Sequence, residues 1–233
     1  MKIAIMQPTF IPWAGYFALI HYVDKFVFLD NVQFNDRSWQ QRNRIYSNGN
    51  VKWMTVPVIK KNYRSKKISE IKINHNEKFY DKHLKNILQS YTKAKKFKEN
   101  RYLIESLYSK KFNNLSELNI FIIKKIFKYL NIKSEFFNAS EIQSKEVRSN
   151  LLLQICKNFN CNEYISPQGS KIYLENDKKL FFENKIKITY FEYEPQKYET
   201  FYDQFIPNLS VIDLILNCGK LSKNIITDGI LNT

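Results

Sequence analysis

Two short apolar runs flank a helical stretch within the first thirty residues, and this arrangement restricts the fold more than any other feature of the chain. Lys2-Ile3-Ala4-Ile5-Met6 reads as a strand. A Pro-containing turn follows, and then a helix predicted over about 15–23 with Tyr16, Leu19, Ile20 and Val23 at helical spacing. Lys25 to Leu29 is apolar after its first residue, as expected of a parallel strand covered on both faces. Strand, helix and strand at this spacing form a βαβ unit, which seeds a doubly wound, mainly parallel, Rossmann-like α/β sheet.

The rest of the chain extends that pattern. A polar stretch, 31–50, contains Arg37, Arg42 and Arg44 and is too polar for a core segment; 51–59 then reads as a strand. Recurrent apolar faces from about 77 to 130 predict helices forming a lobe within one α/β unit that spans 1–233. Alternation resumes with a strand at 133–137, a helix at 147–158, strands at 163–166 and 185–192, and a helix at 210–217 capped by Ser210 with Asp213 in its first turn.

Thirty-seven Lys and Arg against 22 Asp and Glu give a net charge of +15. Such a charge suits nucleic acid, phosphorylated ligands or an anionic surface. Lysine is spread along the chain, however, and no RNP motif, zinc knuckle or clustered basic helix accompanies it, so nucleic acid is an open but disfavoured partner. No run approaches the roughly 20 apolar residues that span a bilayer, and a cytoplasmic location is expected. Cys156, Cys161 and Cys218 lack disulfide or zinc spacing, and with only three histidines, none beside a carboxylate cluster, no metal site is expected.

Three segments could carry chemistry. Gln7 to Tyr16 lies at the carboxyl end of the first strand, where open α/β sheets bind ligands. There Gln7, Thr9, Gly15 and Tyr16 would receive a phosphate or carboxylate at a helix start. Arg37, Arg42, Asn43 and Arg44 would grip an anion through guanidinium forks, with Trp39 in the same stretch. Ser166-Pro167-Gln168-Gly169-Ser170 follows a later strand and would face the same edge of the sheet, with Ser166, Gln168, Gly169 and Ser170 available to phosphate oxygens. Asp30, at a strand end beside the arginines, is the candidate general base, and His83 the reserve.

Ile5-Met6-Gln7-Pro8, Pro12, Gly15-Tyr16-Phe17, Asp24-Lys25-Phe26-Val27, Gln41-Arg42-Asn43-Arg44, Trp53, Ser166 to Ser170 and the closing Pro207-Asn208-Leu209-Ser210-Val211-Ile212-Asp213-Leu214 together resemble the WbqC-like family over essentially the whole chain. The resemblance implies association with bacterial O-antigen and related surface-polysaccharide clusters. It also implies transfer of glycine or another acyl group to an amino sugar, a small-molecule substrate carried on a nucleotide. The layout of Thr9 to Ile20 is also similar to the first turn of nucleotidylyltransferase-like enzymes such as pantothenate synthetases, with Trp13 and Tyr16 in place of that turn's two histidines. This second likeness makes ATP a candidate cofactor and an acyl adenylate a candidate intermediate. The function expected is therefore an aminoacyl or acyl transferase, or an ATP-dependent amide ligase. The alternatives are an RNA-binding protein and a non-catalytic partner of a glycan-synthesis enzyme.

Overall fold

The computed structural model describes residues 1–231. It opens with β1 (Lys2–Met6), α1 (Ala14–Tyr22) and β2 (Lys25–Phe28). A hairpin of β3 (Arg42–Ser47) and β4 (Asn50–Thr55) follows, then α2 (Phe79–Ser90), α3 (Phe97–Leu107) and α4 (Leu115–Leu130). The chain continues through β5 (Glu135–Asn138), α5 (Arg148–Asn158), β6 (Glu163–Pro167), the short α6 (Lys171–Leu174) and α7 (Lys178–Glu183), and β7 (Lys187–Phe191). Helices α8 (Val211–Cys218) and α9 (Ser222–Asp228) close it.

Five strands form one parallel sheet in the order β5-β2-β1-β6-β7. Successive strands move outward from β1 through β2 to β5, and the chain then crosses back to place β6 on the other side of β1. The order therefore reverses between β1 and β6, which is the Rossmann-like arrangement expected from the sequence.

Both faces of the sheet are covered, and this is why its inner strands β1 and β2 read as apolar runs. Because side chains alternate across a pleated strand, Ile3, Ile5, Val27 and Tyr164 pack in one core with Leu152 and Ile155 of α5 and Phe181 of α7. Ala4, Phe26, Phe28 and Ile165 face the other core, shared with α1, α4 and α8.

The helical stretch 77–130 resolves into three helices packed in that second core together with α1. Asn114 starts the last of them by accepting the Ser116 and Glu117 amides at 2.8 and 3.3 Å, a side-chain cap of the usual kind. Ser210 caps α8 by accepting the Ile212 amide at 3.3 Å. Asp213 does more than face a helix dipole. It is fully buried and accepts from the hydroxyls of Tyr91, Tyr198 and Tyr202 at 2.7, 2.6 and 2.9 Å. Burial raises its pKa, and the three phenols oppose that rise.

The stretch 31–50 departs from expectation, because it supplies β3 and sends Gln40, Gln41, Asn43 and Ser47 into the interior. Polar residues can be buried when their hydrogen bonds are satisfied, and here the partners come from distant segments. Gln41 donates to the Val56 carbonyl at 3.0 Å, and Asn43 donates to the carbonyls of Phe10 and Ile11 at 3.2 and 2.9 Å.

Candidate functional site

The loop joining β1 to α1 is held through its backbone. Five of its carbonyls accept from donors on other segments: Tyr16 hydroxyl to Gln7 at 3.1 Å, Asn119 amide to Pro8 at 3.1 Å, Asn43 amide to Phe10 and Ile11, and the Val211 amide to Pro12 at 2.8 Å. Asn119 is completely buried and its amide also donates to the Gln40 carbonyl at 2.7 Å. Gln40 in turn donates to the Gln7 side-chain oxygen at 2.8 Å. These bonds hold Ile11 at φ 37°, a conformation that a β-branched residue adopts only when its surroundings impose it.

This loop forms one wall of a crevice over the carboxyl ends of β1 and β6, at the point where the strand order reverses. Three adjoining hollows of about 320, 330 and 210 Å³ share Met6, the last residue of β1, as part of their floor. Thr9, Trp13 and Tyr16 stand on the first wall; Trp39, Asn43 and Arg44 of the hairpin region form a second. Pro167, Gln168 and Gly169 border the hollow nearest β6, while Ser170 and Tyr173 border the one beneath Trp39.

The hairpin wall carries unneutralised positive charge. Among the described residues no acidic group lies within ion-pair distance of Arg37, Arg42 or Arg44. Arg44 donates to the Asn208 carbonyl at 3.4 Å, and its Nε, like that of Arg42, is shielded from solvent without a partner. Burial holds the Tyr16 hydroxyl well above its ordinary pKa, so it remains a hydrogen-bond donor.

Gln7, Thr9, Gly15, Tyr16, Asn43, Arg44, Gln168, Gly169 and Ser170 are thus brought together around one opening. Gly15 is there for a reason internal to the fold: a Cβ at that position would lie 2.4 Å from the Trp13 indole, which covers the first turn of α1. Arg37 is exposed on the connecting loop, with its backbone amide bound to Asp36 and Gln41. The Arg42 guanidinium stacks 4.2 Å from the Trp53 ring centre. Ser166 is buried below the opening, with its hydroxyl 3.4 Å from the Pro167 carbonyl.

Neither candidate base borders the crevice. Both carboxylate oxygens of the buried Asp30 are occupied by Ser140, through its amide at 2.8 Å and its hydroxyl at 2.7 Å. His83 is enclosed by the rings of Phe10, Phe79 and Tyr108. Burial lowers its pKa to about 4 despite a hydrogen bond with the Thr55 backbone, so the imidazole is neutral at pH 7.

The chain matches the WbqC-like protein family over residues 7–225, a span that contains every wall of the crevice. The chain belongs to the WbqC-like family. It is 32% identical over 220 residues to the uncharacterized protein Rv1507c of Mycobacterium tuberculosis, covering 94% of each chain. No solved structure matches it.

In this WbqC-like chain, sequence reasoning overlooked the residues that shape the site from behind. Asn119 and Tyr193 lie far from the named loops in sequence, and only an amide on the apolar face of α4 hinted at the first; Gln40 lies within the arginine stretch but was passed over there. The exposed Trp39 and Trp53 are a more visible signal, since large apolar rings left in water mark interaction sites.

Proposed function

We propose that the crevice binds a nucleotide-linked amino sugar and that the chain transfers an aminoacyl or acyl group to the sugar amine during assembly of a bacterial surface polysaccharide such as O-antigen. Membership of the WbqC-like family supports the polysaccharide side of this reading. The observation that carries the substrate side is Arg44, a guanidinium with no acidic partner among the described residues, beside a hollow of about 320 Å³ at the sheet's switch point. An open α/β sheet binds nucleotide-containing ligands in this place, and an uncompensated guanidinium there calls for phosphate or carboxylate.

In the reaction the sugar nitrogen attacks the acyl carbonyl, and the leaving group departs with its electron pair. The nitrogen's proton passes to solvent or to the leaving group. No carboxylate or imidazole among the described residues borders the hollows beside Arg44, beneath Trp39 or nearest β6, so the chain contributes position and charge rather than a strong base. An amine whose ammonium form titrates within about a unit of neutrality already supplies free base. The indole of Trp13 lies over Gly15 at the start of α1, where a pantothenate-synthetase-like layout would seat ATP phosphates. This favours a preactivated acyl donor over ATP-dependent ligation.

Thermal unfolding with nucleotide-linked amino sugars, ATP, amino acids and acyl-CoA tests the reading. A nucleotide-linked amino sugar at about 100 times its Kd raises Tm by about 5–10 °C, and Arg44→Ala abolishes the rise. No shift with any nucleotide sugar would sink the reading. The absence of a bordering base also favours a second one, a non-catalytic partner of a glycan-synthesis enzyme. Binding without acyl transfer under any donor would select it.

A further inference from the structure

The hairpin wall carries a feature that anion binding alone leaves unexplained. Trp39, on the loop before β3, and Trp53, on β4, are 49% and 46% exposed. Their rings lie 5.4 Å apart and are tilted by 38°. Trp39 stands at the rim of the crevice, where it borders two of its hollows, and Trp53 extends that exposed surface as its ring neighbour. Both are set by guanidinium groups: Arg42 over Trp53 at 4.2 Å, and Arg44 at 5.6 Å from Trp39 and 5.9 Å from Trp53. The cations fix the rings through cation–π attraction while both residues stay about half exposed.

We propose that Trp39 and Trp53 form a stacking platform for the base of a nucleoside diphosphate, with the diphosphate on Arg44 and the attached group directed over Met6. This assignment rests on the reading of the crevice as a nucleotide-sugar site and specifies which end of the ligand lies where. A neutral sugar ring also stacks on an indole, but it brings no negative charge to the two flanking guanidiniums. A nucleotide satisfies both features at once, because its base presents a flat face and its phosphates begin one ribose away. The Arg44 guanidinium lies that close to the rings, and its Nε has no partner among the described residues. Stacking of this kind tolerates different bases, since each has a π face, so several nucleoside diphosphates should bind with similar affinity.

Titration calorimetry with uridine diphosphate, guanosine diphosphate, free glucosamine and a uridine diphosphate-linked amino sugar tests the assignment. The wild-type chain binds both nucleoside diphosphates and the nucleotide sugar, and free glucosamine far more weakly. Trp39→Ala and Trp53→Ala each weaken nucleoside diphosphate binding about tenfold or more, and Trp39→Phe restores most of the loss. Both side chains are half exposed, so an unchanged unfolding temperature verifies that the variants fold. Nucleotide-sugar binding lost in Arg44→Ala but unaltered in the Trp39→Ala/Trp53→Ala double variant would overturn the platform and leave the crevice reading intact. Failure of the wild-type chain to bind any nucleotide would overturn both. Tighter, tryptophan-dependent binding of a uridine oligonucleotide than of uridine diphosphate at the same salt would replace the platform with a single-stranded nucleic-acid site.

Discussion

The loop after β1 and the loop after β6 face each other across the crevice, yet they are held in opposite ways. Five carbonyls between Gln7 and Pro12 are each matched to a donor from α1, the hairpin, α4 or α8. The later loop is held by fewer bonds: Gln168 donates to the exposed Glu192 at 2.9 Å, and the Ser166 hydroxyl lies 3.4 Å from the neighbouring Pro167 carbonyl. A Cβ on Gly169 would meet nothing within 4 Å, and Ile172 just beyond it is 87% exposed. One wall is therefore preorganised, and the other is constrained by few buried contacts. A site that must fix one reactant while admitting another benefits from such a pair, because stability is drawn low only where opening is needed.

Four substitutions or conditions test how far the two loops differ. Asn119→Ala leaves the Pro8 and Gln40 carbonyls buried without their donor, and at about 1–3 kcal/mol for each the loss is about 4 kcal/mol, readable as a lower urea midpoint. An unchanged midpoint would mean that the first loop does not depend on those bonds.

The next effect depends on pH. His83 lies beneath Phe10 of the first loop, and its folded-state pKa is lowered by burial to about 4, against about 6.5 unfolded. The unfolded chain binds the extra proton between these values, so stability is full above about pH 6.5 and falls as pH drops towards 4, by about 3 kcal/mol in all. His83→Leu flattens that part of the stability-against-pH curve; a slope of the same size in the variant would assign it to other groups.

Gly15→Ala forces the Trp13 indole aside and destabilises by about 2 kcal/mol. Combined with Trp13→Ala, its cost shrinks, which a double-mutant cycle measures directly. The smallest effect belongs to the opposite wall. Gly169→Ala stays within about 0.5 kcal/mol of the parent by chemical denaturation, and a loss comparable to that of Gly15→Ala would erase the contrast between the loops.

The sheet was legible in the sequence because a parallel strand covered on both faces is a continuous apolar run, as Lys2–Met6 and Lys25–Phe28 show. The two glycine-bearing loops were legible because each directly follows such a strand. The hairpin region was not, since Gln40, Gln41 and Asn43 satisfy their amides on carbonyls at least fifteen residues away in sequence. A local window sees only polarity there. Asp30 and His83 were candidate bases for a similar reason: a carboxylate at a strand end and an imidazole on a helix suggest a base, but only the fold reveals Ser140 on the carboxylate and three aromatic rings around the imidazole.

If the opening between the two loops is the nucleotide-sugar site, a crystal structure of the chain with a uridine diphosphate-linked amino sugar will show it. The diphosphate is expected on Arg44, the base against Trp39 and Trp53, and the sugar over Met6 between the two loops. A ligand seated elsewhere on the chain, with this crevice empty, would contradict it.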